Sequence, residues 1–225
     1  LDPSVVLGVG DDAAIISQLS DYETVISVDS VVAGRHVPQI CPPDGFAARL
    51  LGRGLSDLAA MGADPKYVLL SLTLPIIEPG WVDHFADRFH KLCVRFGLDL
   101  VGGDTSKGPL SAHITVIGHV PKGSAISRSG LRSGDDLWLF GPDLGGARAY
   151  LDVLDGLESN HEIWAERYWR PEPQLVAGLS LRGMASAMID ISDGLCQDLS
   201  HLLDNSVGSA TVKLQSKLIP LCDDL

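Results

Sequence analysis

With 225 residues, 45% hydrophobic and 20% charged, the chain carries enough apolar material to bury a core and is expected to hold one large domain or two small ones. A formal charge of −12 argues against nucleic acid as a natural partner, because phosphate backbones are held by Lys/Arg patches. The longest apolar runs, such as Tyr67 to Leu74, stop far short of the roughly 20 residues of a membrane helix, and no basic-then-apolar leader opens the chain, so a soluble protein without a membrane partner is expected.

Val5 to Gly10 and Thr24 to Asp29 read as short strands, since β-branched residues cluster there and each run ends at a Gly or Asp. Asp44 is the expected N-cap of a helix through Met61, with Ala47, Leu51, Leu55, Leu58 and Met61 at helical spacing and Gly52 and Gly54 pointing to close packing. Tyr67 to Leu74, bounded by Pro65 and Pro75, is the next strand. Trp81, Phe85, Phe89, Leu92 and Phe96 mark an amphipathic helix closed by Gly97, with its aromatics in the core. Leu98 to Val101 returns as a buried strand into Gly102-Gly103-Asp104, and His113 to Val120 alternates up to Pro121.

Between Pro121 and Gly134 the composition shifts to Gly, Ser, Lys and Arg, so a domain boundary is expected there, dividing the chain into residues 1–121 and 122–225. The second unit reads as a strand at Asp136 to Phe140, helices near Gly146 to Leu157, His161 to Trp169 and Pro173 to Ala185, a strand at Ala187 to Ile191 and a helix at Leu195 to Leu203. No internal repeat or low-complexity tract interrupts it.

Chemistry concentrates in aspartates beside glycine or small residues: Gly10-Asp11-Asp12, Ser27-Val28-Asp29-Ser30, Gly102-Gly103-Asp104-Thr105 and Asp190-Ile191-Ser192-Asp193-Gly194, with Ser56-Asp57 inside the first helix. Mg²⁺ takes hard oxygen ligands and shares them with phosphate and water, and glycine lets backbone and phosphate approach. Each element alone is also ordinary turn chemistry, and Ser192 or Asp193 equally suits the N-cap of the following helix. Asp57 is harder to place, because a carboxylate flanked by Leu55 and Leu58 needs a partner, which a cation would supply.

Other chemistries lack their signatures. The chain has no GxxxxGK[ST], protein-kinase, HExxH or GxSxG motif, and Gly8-Val9-Gly10 lacks the third glycine of a dinucleotide loop. Cys41, Cys93, Cys196 and Cys222 show no CxxC pair or metal-ligand spacing, which fits reduced thiols in the cytoplasm better than a disulfide framework. Arg128, in Ser127-Arg128-Ser129-Gly130, either clamps a phosphate or solvates the connection, and His36 is either a ligand or a packed residue.

Taken in order, Gly8-Val-Gly-Asp-Asp-Ala-Ala14, Ser27-Val-Asp-Ser30 with Val32-Ala-Gly-Arg-His36, Leu55-Ser-Asp-Leu-Ala-Ala-Met-Gly-Ala-Asp-Pro65, Gly102-Gly-Asp-Thr105, Ser127-Arg-Ser-Gly130 and Ile189-Asp-Ile-Ser-Asp-Gly194 resemble the thiamine-monophosphate kinase family, within the superfamily of aminoimidazole ribonucleotide synthetase and selenophosphate synthetase. The resemblance implies an α/β (α+β) fold of two domains: an N-terminal mixed sheet that binds ATP and Mg²⁺ and pairs with its twin in a homodimer, then a C-terminal α/β domain. It implies that Asp11, Asp29, Asp57, Asp104, Asp190 and Asp193 ligate several Mg²⁺ ions with help from Ser27 and the backbone at Val28. Gly103, Arg128 and Ser192 become expected ATP contacts and His36 an expected substrate contact.

The implied reaction is transfer of the γ-phosphate of ATP to the phosphate of thiamine monophosphate, giving thiamine diphosphate and ADP. No side-chain nucleophile or general base is needed, because the acceptor phosphate is already ionised at neutral pH. Gly54, Arg35 and Val28 stand where the family pattern has Asn, Asn and Thr. The pattern also runs on past Leu225 with a Gly-Gly-Glu-Asp-Tyr-type segment and a late aromatic, and has a helix ahead of Leu1, so both ends are expected to be cut from a longer protein. The alternatives are another ATP-using enzyme of the superfamily with a different small-molecule substrate, or a nucleotide-binding protein without turnover.

Overall fold

The computed structural model describes residues 3–7, 15–16, 19–141, 143–156, 162–205 and 211–222. A four-stranded sheet in the order β3-β6-β4-β5 forms the frame, from β3 (Tyr22–Val32), β4 (Asp64–Leu74), β5 (Asp99–Lys107) and β6 (Ser111–Pro121). Two short strands, β1 (Val5–Leu7) and β2 (Ile15–Ile16), make a separate antiparallel pair. β6 lies antiparallel to both β3 and β4, whereas β5 runs parallel to β4. A parallel pair needs a crossover, and the helix α2 (Pro79–Phe96) supplies it, as α1 (Pro43–Ala60) does between β3 and β4.

Alternation along β3 decides which face is covered. Val25 and Val31 turn towards the helices, while Ile26 and Val28 stay 61% and 65% exposed on the opposite face. The covered face packs Val68, Leu72, Ile114, Val116 and Val120 against Phe46, Leu51, Leu55 and Leu58 of α1 and Phe85, Phe89 and Leu92 of α2. Trp81, Phe85 and Phe89 stack in sequence along α2, with Phe46 set against the first two. Each such side chain contributes about 1.5–3 kcal/mol by leaving water, so this seam anchors the fold. Gly54 belongs to it: a Cβ there would stand 2.7 Å from Ile114 Cδ1, which explains a glycine in mid-helix.

The second half supplies α3 (Gly146–Leu154), α4 (Glu162–Trp169), α5 (Leu175–Ser180), α6 (Leu195–Asp204) and a 3₁₀ turn at Ser216–Leu218. Tyr168 and Leu175 join the same apolar cluster as α1. Among the described residues no helix is long and apolar enough to cross a membrane.

Several local expectations change. The N-cap of α1 is Pro42, so Asp44 lies inside the first turn, where its charge still faces the positive helix end. β5 does not stop at Gly102 but continues to Lys107, because β4 offers a partner along that whole length. Pro65 lies within β4 at a register irregularity opposite β6 rather than bounding the strand. Neither 136–140 nor 187–191 forms a strand: each lacks a paired neighbour, and Trp138 is left 76% exposed.

Candidate active site

β3 and α1 set the centre of the site. Ser27 and Asp29 alternate onto the covered face of β3, where α1 passes with Arg53, Ser56 and Asp57 on adjoining turns. Ser27 Oγ donates to Asp57 Oδ2 at 2.5 Å. Asp29 is held twice: its Oδ1 accepts the Ser30 amide at 2.6 Å, and Arg53 spans both oxygens, Nε to Oδ2 at 2.9 Å and Nη2 to Oδ1 at 3.2 Å. The partner that Asp57 lacks in the sequence is thus Ser27, from a strand 30 residues away.

A third carboxylate comes from the other half of the chain. The Met188 amide donates to Ser127 O at 3.0 Å, tying the segment before Asp190 to the one before Arg128. Asp190 accepts a hydrogen bond from the Ser56 side chain, next to Asp57 on α1, and the Arg128 charge acts on both Asp57 and Asp190. Burial pushes the Asp57 carboxyl above the ordinary carboxylate range; the Ser27 hydrogen bond opposes this and the Asp29 charge adds to it. Asp190 is raised by burial first and by Asp57 second. Burial is the larger cause for both acids, and the Arg128 charge opposes it at each.

The Ser192-Asp193-Gly194 loop is built differently. Its three successive amides all donate to Asp198 Oδ2, at 2.9, 3.1 and 3.0 Å, and the N-cap of α6 is Gly194. Ser192 and Asp193 are therefore not the caps, because a carboxylate already takes the amides that a capping side chain would serve. Asp193 Oδ2 accepts from Gln197 Nε2 at 3.3 Å on the surface. Gly103 and Asp104 are exposed on β5, opposite Leu70 and Ser71, and a Cβ at Gly103 would fall 2.0 Å from Leu70 O.

Asp104 and Asp193 make no hydrogen bond or ion pair with the Asp29–Asp57–Asp190 group among the described residues, and Asp11 lies outside them. Val28 turns its side chain to the far face, so only its backbone is available to the site. His36 accepts the Val32 amide on Nδ1 at 3.1 Å, which leaves the proton on Nε2, and burial followed by the Arg53 charge lowers its pKa. Tyr168 braces the same turn, its hydroxyl donating to His36 O at 3.0 Å.

The donors gathered by Ser27, Asp29, Asp57 and Asp190 are all oxygens, without thiolate or imidazole, which is the set that suits Mg²⁺. Carboxyls held above their ordinary range by burial are also what a cation would relieve, so the residues fit that ion in their chemistry. Among the described residues no three His, Cys, Asp or Glu side chains gather closely enough to hold a metal ion. Arg49, Arg53 and Asp198 carry no motif that the sequence singles out. The first two had a signal: residues 49, 53 and 57 follow at one-turn intervals on α1, and the Arg49 guanidinium lies 4.1 Å over the Tyr168 ring.

The family model of the AIR synthase related protein N-terminal domain matches residues 10–120. The thiamine-monophosphate kinase of Escherichia coli (strain K12) is 39% identical over 228 residues, covering 98% of this chain and 69% of that protein. Among solved structures, the thiamine-monophosphate kinase from Stenotrophomonas maltophilia K279a is 36% identical and superposes with a TM-score of 0.84 over 91% of this chain and 67% of that one. AaThiL complexed with AMPPCP and TMP is 27% identical, with a TM-score of 0.77 over 84% of this chain and 62% of that one.

A mixed sheet covered on one face by two crossover helices is the architecture of the AIR synthase-like class. Within it, the chain belongs to the thiamine-monophosphate kinase family and is by that membership a kinase.

Proposed function

We propose that the protein transfers the γ-phosphate of ATP to the phosphate of thiamine monophosphate, releasing thiamine diphosphate and ADP. The observation that carries this reading is the meeting of Asp57 and Asp190 at α1, where Ser56 donates to Asp190: both carboxyls are raised first by burial, Asp57 raises Asp190 further, and the Arg128 charge acts on both. The Escherichia coli relative and the AMPPCP- and TMP-bound neighbour support it.

Two anionic substrates repel each other, so the chain must bring positive charge and geometry to the phosphates. Asp29, Asp57 and Asp190, with Asp11, Asp104, Asp193, Ser27 and the Val28 backbone, would hold several Mg²⁺ ions, which would supply the charge that neutralises the phosphate oxygens. Ser27 fixes the Asp57 carboxylate through their hydrogen bond, and Arg128 and Ser192 approach the nucleotide from the second half of the chain. Gly103 contacts the nucleotide through its exposed backbone on β5, while its missing side chain is what the close Leu70 backbone of β4 requires. His36 presents Nε2–H to the acceptor and stays neutral while doing so. No side chain needs to remove a proton.

Residues 1–121 act as the ATP- and Mg²⁺-binding half and 122–225, whose described elements are helices, as the half that completes the site. The uncovered face of the sheet, with Tyr22, Ile26 and Val28 exposed, pairs with a second copy in a homodimer. Four free cysteines suit work in the cytoplasm. The test is incubation with Mg-ATP in the presence and absence of thiamine monophosphate, with mass detection of thiamine diphosphate. Product that needs both substrates is expected; Mg-ATP binding without product in either condition would overturn the reading.

A further inference from the structure

Three consecutive amides converging on one point ahead of a helix form the geometry in which proteins hold anions. In a protein that handles phosphates, the amides of Ser192, Asp193 and Gly194 are therefore the natural place for a phosphate oxygen. The structure fills that place from within: Asp198 Oδ2 takes all three at 2.9, 3.1 and 3.0 Å, from a residue only 3% exposed. Gly194 makes the convergence possible, since its φ of 129° lies where other residues are strained. The Asp198 amide closes the ring in the other direction by donating to Gly194 O at 3.0 Å.

The loop is consequently not free to cradle a phosphate through its backbone. What it can offer is side chains, and its own geometry sets where they stand. Upstream, Asp190 is tied to Ser56 on α1, next to Asp57. Downstream, Gln197 holds Asp193 from the first turn of α6. Only the turn from Ser192 to Gly194 lies between these two anchors, and Asp198 is the group that fixes it.

We propose that Asp198 is a positioning residue of the phosphotransfer site: its buried carboxylate locks the Ser192–Gly194 turn so that Asp190 and Asp193 are presented together, and it does so by occupying the anion nest a phosphate would otherwise take. The proposal rests on the kinase reading above for its functional consequence, while the lock itself does not. It also explains why an acid is used so near other acids. One ionised oxygen takes all three donors, and a neutral hydroxyl or amide oxygen in its place would hold them more weakly.

The test compares the parent protein with Asp198→Ala and Asp198→Asn. Hydrogen exchange at the Ser192, Asp193 and Gly194 amides, read without substrate, should speed up at least about tenfold in Asp198→Ala and less in Asp198→Asn, which keeps one acceptor oxygen. The Mg²⁺ concentration for half-maximal thermal stabilisation should rise about tenfold in Asp198→Ala. Added formate, small enough to enter the vacated nest, should restore both, and sodium chloride of equal ionic strength should not. Unchanged exchange in Asp198→Ala overturns the proposal, as does faster exchange with the same Mg²⁺ dependence. If Asp198→Ala does not fold, Asp198→Asn decides the matter on the same two readings. Thiamine diphosphate formation by the parent is measured alongside: its absence would count against the kinase reading alone, because the exchange and Mg²⁺ comparisons need no turnover.

Discussion

Arg53 spans both oxygens of Asp29, Nε at 2.9 Å and Nη2 at 3.2 Å, and so neutralises a carboxylate that the proposed reaction needs as a metal ligand. Asp29 cannot give both oxygens to the guanidinium and serve a cation in full, so the two compete. Replacing Arg53 by Met should lower the stability of the protein in EDTA by about 1 kcal/mol, the upper end for a partly exposed pair. The same variant should bind Mg²⁺ several-fold more tightly. Thermal unfolding and calorimetric titration read the two effects; a variant with weaker Mg²⁺ binding would show that Arg53 supports the site rather than competing for it.

Asp57→Asn removes a buried charge but keeps an oxygen for the Ser27 hydroxyl. Turnover should fall by about 100-fold or more, the scale of losing one group that stabilises developing charge. Stability without Mg²⁺ should move the other way. The folded pKa of Asp57 is raised, so its ionised form costs stability at pH values above that pKa, and the cost disappears as pH falls through it. Asp57→Asn should therefore be more stable than the parent at pH 8 in EDTA, with the gap closing on acidification. Urea unfolding across this range checks the sign, and a gap that widens towards low pH would contradict it.

His36 accepts a backbone amide on Nδ1 and carries a lowered pKa, so in the proposed reaction it would meet the acceptor as a neutral donor. His36→Ala should raise KM for thiamine monophosphate about tenfold, the loss of one good hydrogen bond, with KM for ATP unchanged. Equal loss for both substrates would place His36 in the fold rather than in the acceptor subsite.

Two glycines separate packing from helix propensity. A Cβ at Gly178 would stand 2.1 Å from Ala59 O, so Gly178→Ala should push α5 off α1 and cost about 1–3 kcal/mol. Gly80, in the first turn of α2, has nothing within 4 Å, and Gly80→Ala should be neutral or stabilising by up to about 1 kcal/mol. Chemical denaturation of the two variants gives both numbers.

Much of this was legible in the residues. The aromatic spacing of α2 and its Gly97 stop are visible in the chain, because an amphipathic helix carries its own period; in the structure Gly97 caps α2 at φ 68°. β3 and β5 run longer than their composition predicts, since their length is set by the partner strand. The apolar runs at 136–140 and 187–191 resemble strands, yet no neighbour pairs with them, and pairing is a property of the fold. Asp57 stood out as a carboxylate on an apolar helix face, but nothing nearby named Ser27, which arrives from β3. Asp198 was silent for another reason: an acid in the first turn of a helix is ordinary chemistry, and its three amide bonds emerge only when the loop folds back over it.

In the proposed reaction a carboxylate-built, Mg²⁺-requiring site carries the phosphoryl group from ATP to thiamine monophosphate. It is tested most directly by following thiamine diphosphate formation in the parent, in Asp57→Asn and in Asp190→Asn, each with and without EDTA. The expected result is product from the parent that vanishes with EDTA and returns with Mg²⁺, and folded variants that make at most about one hundredth as much. Product formation that survives EDTA, or variants as active as the parent, would contradict it.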